Sequence, residues 1–214
     1  VGVGVVGFER ILSVGVRGMR VIAGTYRSRV LLAPEGLGTR PTADRLRETL
    51  FNVLTQGARD RVAGAAFLDL YAGSGAVGIE ALSRGAAAVT FVEEGVAALG
   101  VLAKNLEALG IGRGADGLVR VERKKVWGYL RGAVGKAGIG AFGVVFLDPP
   151  YEDAAEYAAT LGLLGGDGLG LLAEGAVVVA EHRRKDSLEE RYGGLVRMRV
   201  KVQGDAGLSF YSME

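Results

Sequence analysis

Residues Gly73-Ser74-Gly75-Ala76-Val77-Gly78 carry glycine at the spacing G-x-G-x-x-G. Glycines so placed report a tight strand-to-helix turn whose backbone a ligand can approach closely. Such a loop serves dinucleotides and adenosyl cofactors alike, so the discriminating residues are the acids around it. Asp69 stands just before the loop, at the end of an apolar run, where open α/β sheets bind their ligands. A carboxylate there repels a pyrophosphate and attracts a cation such as the ammonium of a methionine moiety. That favours S-adenosylmethionine over a nicotinamide dinucleotide. Glu93, twenty positions after Gly73, closes the next apolar run and can accept both hydroxyls of a ribose. The candidate cofactor-binding residues are therefore Asp69, Tyr71, Gly73, Ser74, Gly75 and Glu93.

Asp148-Pro149-Pro150-Tyr151 follows the apolar run FGVVFL and adds a second chemistry. A planar amino group is a poor nucleophile because its lone pair is delocalised into the base or amide that carries it. Hydrogen bonds from its hydrogens to a carboxylate and a backbone carbonyl hold the nitrogen toward a methyl donor and stabilise charge as it develops. Asp148 supplies the carboxylate, and Pro149 and Pro150 fix the chain so that a carbonyl points inward. Tyr151 offers a ring to stack on an unpaired or flipped-out base. These four are the candidate catalytic residues, and Tyr151 doubles as a substrate contact. His182, the single histidine, reads as structural rather than as a base, since such an amine can lose its proton after attack.

Two loops of this kind need a sheet to present them. The runs AAFLDLYA, AAVTFVE, GLVRV (117–121), FGVVFLD (142–148) and AVVVAE (176–181) read as buried strands, separated by helical patterns such as GAVGIEALSRG and VAALGVLAKNLEALG. The alternation predicts an α/β fold with a parallel, doubly wound sheet. The tail LVRMRVKVQGDAGLSFYSM predicts an antiparallel hairpin at a sheet edge, turning at Gly204-Asp205. Ahead of the sheet, RVIAGTYRSRVLLAP breaks at Gly24 and predicts a short arginine-rich hairpin. TRPTADRLRETLFNVL predicts a helix capped by Thr42, with Leu46, Leu50, Phe51 and Leu54 on its buried stripe and Arg45 and Arg47 off it. Three segments are expected: an extension over 1–18, poorly ordered; a basic hairpin and helix over 19–60; and a catalytic domain over 61–214.

A chain of 214 residues with 49% apolar and 23% charged content suits one α/β domain and a small appendage. The absence of cysteine excludes disulfides, thiolate nucleophiles and cysteine-ligated zinc, and one histidine cannot build a histidine cluster, so no metal is expected. The net charge of +2 says little, but its distribution says more. Arginines 17, 20, 27, 29, 40, 45 and 47 face only Glu35 and Asp44 over that stretch, the footprint of a phosphate-binding arm. Arg40, Arg45 and Arg47 are the candidate substrate contacts within it. The apolar opening VGVGVVGFERILSVGVRG is broken by Glu9 and Arg10 and lacks a basic start. It fits neither a signal peptide nor a spanning helix, so a cytoplasmic protein without a membrane partner is expected.

Taken together, MRVIAGTYRSR from Met19, RPTADRLRETLFNVL, DLYAGSGAVGIEALSRGA, FVE, FLDPPY, EH and LSFY resemble the bacterial RsmD-type methyltransferases, which modify the exocyclic N2 of one guanine in 16S ribosomal RNA. The resemblance covers nearly the whole chain beyond the extension. Its specific part is Arg40-Pro41-Thr42 with Arg45, Arg47, Glu48, Phe51 and Asn52. It implies a Rossmann-like, seven-stranded class I methyltransferase sheet and S-adenosylmethionine as donor. It also implies a guanine-966-type site, presented in the small ribosomal subunit or its late assembly intermediate. Asp69, Gly73, Gly75 and Glu93 would hold the donor, Asp148 to Tyr151 the guanine, and the amino-terminal arginines the RNA phosphates. Where the family tends to offer Asp or Asn to the adenine amino group, this chain has Glu122-Arg123-Lys124-Lys125-Val126. A DNA adenine-N6 methyltransferase would share Asp-Pro-Pro-Tyr but normally needs a separate target-recognition region. A nucleic-acid-binding relative with weakened catalysis would bind RNA without binding the donor.

Overall fold

A computed structural model describes residues 19–33, 41–56, 60–112, 118–134, 141–150 and 154–214, so the extension 1–18, Arg40 and Tyr151 lie outside the described residues. The chain begins with a short antiparallel pair, β1 (Met19–Arg20) and β2 (Val30–Leu31), followed by α1 (Pro41–Thr55). The helix starts at Pro41 rather than after a Thr42 cap. Proline suits the first helical position, where its missing N–H has no helical partner to lose.

The strands β3 (Ala66–Leu70), β4 (Ala88–Glu93), β5 (Val119–Arg123), β6 (Phe142–Leu147) and β7 (Leu172–Arg183) run parallel. Between them lie α2 (Ala76–Ser83), α3 (Val96–Ala108), α4 (Val126–Ala133) and α5 (Ala154–Gly165). The sheet closes antiparallel with β8 (Arg191–Tyr192), β9 (Leu195–Gln203) and β10 (Ala206–Met213), giving the order β5-β4-β3-β6-β7-β10-β9-β8. The two-residue β8 makes the sheet eight-stranded where seven were expected. The β9–β10 turn falls where the tail sequence predicts it.

Successive side chains on a strand point to opposite faces, and the core follows that rule. Phe67, Phe91, Phe146, Val179 and Phe210 face one layer, with Leu50, Phe51 and Leu54 of α1 and Ile79 of α2. Leu68, Leu70, Leu147 and Val178 face the other, with Leu130 of α4 and Leu161 and Leu164 of α5. Both faces of β3, β4 and β6 are covered, so those strands read as nearly continuous apolar runs, whereas β5 at the sheet edge carries Arg120, Glu122 and Arg123. No helix among the described residues is long and apolar enough to cross a membrane.

The amino-terminal segment is fastened to α2 by one carboxylate. Glu80 is fully buried and accepts hydrogen bonds from the amides of Ile22 (2.7 Å) and Ala23 (3.0 Å). Arg84 donates to the same group at 2.7 Å while its guanidinium lies 4.9 Å from the centre of the Phe51 ring. Arg47 approaches from α1, its Nε 3.9 Å from Glu80. Contrary to the helical-stripe expectation, Arg47 is buried. Its Nη2 donates to the Arg20 carbonyl and to Asp44 at 3.0 Å, and its Nε has no hydrogen-bond partner. Ser83 completes the joint. Its hydroxyl accepts from the Tyr26 amide (2.9 Å) and donates to the Ala23 carbonyl, and its own carbonyl accepts from Thr25 (2.8 Å). Gly24, at φ +80°, lies so close to this turn that a Cβ would sit 1.7 Å from the Ser83 oxygen.

Removing the carboxylate leaves the Ile22 and Ala23 amides and the Arg84 guanidinium without their acceptor and takes one counter-charge from the buried Arg47. Glu80→Ala is expected to lower the unfolding free energy in urea by about 3–5 kcal/mol. Faster proteolytic cleavage within 19–33 would mark release of the segment.

Candidate active site

The parallel strands end along one edge of the sheet, and the predicted residues gather there. Asp69, near the end of β3, is buried, and its Oδ2 accepts from the Gly78 amide at 2.9 Å, bracing the loop from beneath. Its Oδ1 accepts no bond from the described residues. Burial pushes the Asp69 carboxyl up to about 8, with Glu93 adding to the rise and the Gly78 amide opposing it. Glu93, at the end of β4, accepts from the Gly73 amide through Oε2 (2.8 Å) and the Gly95 amide through Oε1 (2.7 Å). Each oxygen keeps a second lone pair, so ribose hydroxyls can still donate to both.

The loop between these acids needs glycine for specific reasons. Gly75 has φ +78°, and a Cβ there would meet Leu102 at 2.2 Å. A Cβ at Gly78 would meet the Phe91 ring at 2.3 Å, because α2 starts pressed onto β4. Tyr71 also takes a left-handed backbone, φ +60°, which a bulky residue adopts only when its surroundings enforce it. Its hydroxyl donates to Glu156 (2.7 Å) and lies 2.8 Å from the Thr160 hydroxyl, both on α5. Tyr71 thus ties the glycine loop to the helix that follows Asp148-Pro149-Pro150-Tyr151.

Asp148 stands just past β6, half-buried, with Pro149 buried and Pro150 exposed. Burial, then the charges of Glu181 and Asp69, hold the Asp148 carboxyl well above the usual carboxylate range. Leu147 pairs with Ala180, so Asp148 and Glu181 occupy the next row of adjacent strands. His182 points to the opposite face. Its Nδ1 donates to the Arg183 carbonyl (2.8 Å), its Nε2 lies 2.9 Å from the Ser209 hydroxyl, and Gly207 leaves room for its ring. These contacts suit the structural role read from the sequence. In the stretch expected to meet adenine, the Lys124 ammonium pairs with Glu122 at 2.8 Å and its amide donates to the Glu93 carbonyl.

A family model described as "Conserved hypothetical protein 95" matches residues 19–212. The ribosomal RNA small subunit methyltransferase D of Escherichia coli K12 is 36% identical over 196 residues, covering 92% of this chain and 90% of the relative. The YlbH protein of Bacillus subtilis 168, named provisionally as an rRNA methyltransferase, is 37% identical over 90% of this chain and 98% of its own length. The solved YhhF structure of Escherichia coli, described provisionally as a methyltransferase, superposes with a TM-score of 0.73 at 36% identity, covering 92% of this chain and 98% of that one.

The chain belongs to the RsmD family. Its fold is the Rossmann-like class I methyltransferase fold, with antiparallel strands closing the sheet. In this RsmD-type chain Asp69, Tyr71, Gly73, Ser74, Gly75, Glu93, Asp148, Pro149 and Pro150 come to the same edge of the sheet, while Arg45 is exposed on α1. The expectation that Arg47 contacts substrate is corrected. Its guanidinium is enclosed by Asp44, Glu80 and the Arg20 carbonyl and cannot reach an external phosphate while the amino-terminal segment is docked. Sequence reasoning passed over Asn105, which is buried on α3. It accepts from the Leu32 amide (2.7 Å) and donates to the carbonyls of Leu32 (3.0 Å) and Ser74 (2.9 Å). A polar residue on the apolar stripe of Leu102, Leu106 and Leu109 was the available signal.

The raised Asp69 carboxyl has a consequence for stability. At about pH 4, near the ordinary carboxylate value, an unfolded chain begins to release this proton, while the folded chain keeps it until about pH 8. Over that window the folded state binds more protons, so stability falls as pH rises, by at most about 1.4 kcal/mol per pH unit from this group. The unfolding free energy of Asp69→Asn, compared with the unsubstituted protein between pH 5 and 8 in urea, should lose this downward slope; parallel profiles would remove the assignment.

Proposed function

We propose that this protein transfers the methyl group of S-adenosylmethionine to the exocyclic N2 of a guanine in 16S ribosomal RNA, at a guanine-966-type site in the small ribosomal subunit or its late assembly intermediate. The observation that carries the reading is the half-buried Asp148 carboxyl beside Asp69, at the mouth of a glycine loop, in a chain whose Escherichia coli relative bears the name ribosomal RNA small subunit methyltransferase D.

The chemistry of the acids fits such a donor. Burial in the crevice raises the Asp69 and Asp148 carboxyls, and a cationic occupant favours their charged forms. Asp69 offers Oδ1 to an ammonium, and Glu93 offers the outer lone pairs of both oxygens to a ribose. The donor, when bound, supplies a sulfonium-activated methyl group. Asp148 and the carbonyl held by Pro149 accept hydrogen bonds from the guanine amino group and orient its nitrogen. The negative form of Asp148 is the one favoured as positive charge builds on that nitrogen, so its stabilisation is greatest in the transition state. Tyr151 supplies the stacking surface for the base. Arg40 and Arg45 in the 19–60 segment bind flanking phosphates, while Arg47 keeps that segment in place.

The test is methyl transfer from labelled S-adenosylmethionine to small subunits from cells lacking the activity. Label should appear in 16S RNA as N2-methylguanine. Asp148→Ala should lower turnover by about 10²–10³-fold while donor binding persists. Label in adenine of DNA, or none in RNA despite donor binding, would overturn the assignment.

A further inference from the structure

Arg199 and Lys201 stand exposed on β9, on the sheet face that α1 covers. The register places them there. Lys201 pairs with Leu208 and Arg199 with Phe210, and both partners belong to the apolar layer beneath α1. A register shift between Phe210 and Tyr211 turns Arg197 to the other face, where it donates to the Leu188 carbonyl at 2.8 Å and lies 3.6 Å from Glu190. No such partner holds Arg199 or Lys201 among the described residues.

The edge of α1 faces the same strand. Thr49 donates to Gln203 at 2.8 Å, which fixes the helix alongside the end of β9. Arg45 precedes Thr49 by four residues, so the two share one side of the helix. Arg45 is exposed and also lacks an ion pair among the described residues. Lys201 and Arg199 therefore border the groove between α1 and β9, and Arg45 lies beyond its Gln203 end. Of the carboxylates nearest in sequence, Asp44 pairs with Arg47, while Glu48 on α1 and Asp205 in the β9–β10 turn are exposed, and none of the three forms a salt bridge with these cations among the described residues.

The groove is aligned with the reacting edge of the sheet. Lys201 lies opposite Leu208, Leu208 opposite Glu181, and Asp148 sits in the row of Glu181. Three strand spacings separate Lys201 from Asp148, about 14 Å. Charged residues on an edge strand also discourage strand pairing. That role is indifferent to the face they occupy, whereas these two share the face of α1 and Asp148.

We propose that Arg199 and Lys201, with Arg45 beyond the Gln203 end of the groove, form a phosphate-binding track that holds the RNA backbone flanking the target nucleotide. The track rests on the RNA-methylation reading and adds the carboxy-terminal hairpin to the RNA-contacting surface.

The test is the double variant Arg199→Gln/Lys201→Gln, assayed on 16S ribosomal RNA and on small subunits from cells lacking the activity. Loss of two phosphate contacts should lower the slope of log affinity against log salt by about 1.4. KM for RNA should rise about tenfold, with kcat and donor affinity unchanged, and the swap Arg199→Lys/Lys201→Arg should restore binding. Arg191→Gln, which removes a paired surface arginine elsewhere, should leave the salt slope unaltered. An unchanged slope and KM in the double variant, or an equal loss in the Arg191 variant, would overturn the track. Because the slope is read from binding, an unsubstituted protein that binds 16S RNA without methylating it sinks the reaction and still decides the track.

Discussion

Buried and half-buried carboxylates that fasten backbone amides hold the glycine loop and the amino-terminal segment in place. Asp69 holds Gly78, Glu93 holds Gly73 and Gly95, and Glu80 holds Ile22 and Ala23. A charged acceptor makes a hydrogen bond roughly twice as strong as a neutral one, and a buried acceptor that loses its partner is costly. The backbone of the loop and of the amino-terminal segment is therefore held in one geometry, alongside the packing of Val21 and Leu31 into the core. That leaves the glycine backbone bare and close to the space a ligand enters.

The same arrangement sets the electrostatics of the site. Acids near the ends of adjacent strands share one face, and burial denies them water. Both Asp69 and Asp148 are raised first by desolvation, with Glu93 adding to the rise of Asp69, and Glu181 and then Asp69 to that of Asp148. A cation entering the crevice and ionisation of these acids therefore favour each other. Outside the crevice, Arg45, Arg199 and Lys201, without ion pairs among the described residues, present the opposite sign, so the surface divides into an acidic mouth and a basic border.

Much of this was legible in the sequence because it depends on local pattern. Buried parallel strands write themselves as apolar runs, and the loop glycines and Asp148-Pro149-Pro150 sit where such runs end. The β9–β10 turn was legible too, since Gly204-Asp205 interrupts two alternating segments. What was not legible depends on partners distant in sequence. Arg47 looks like a solvent-facing helix arginine until Glu80 arrives from 33 positions away. Asn105 meets Leu32 across 73 positions, and Tyr71 reaches α5 across 85. The two-residue β8 carries too little pattern to be read at all. It exists because the turn before β9 folds back onto it.

Asn105 joins two parts of the molecule thermodynamically. One side-chain amide holds Leu32, at the end of the described amino-terminal segment, and the Ser74 carbonyl of the glycine loop. A shift of that segment reaches the loop through this amide, and a tightening of the loop reaches the segment. Binding events at the two places then share a free-energy term, and linkage makes it reciprocal: whatever factor one contributes to the other's affinity is returned.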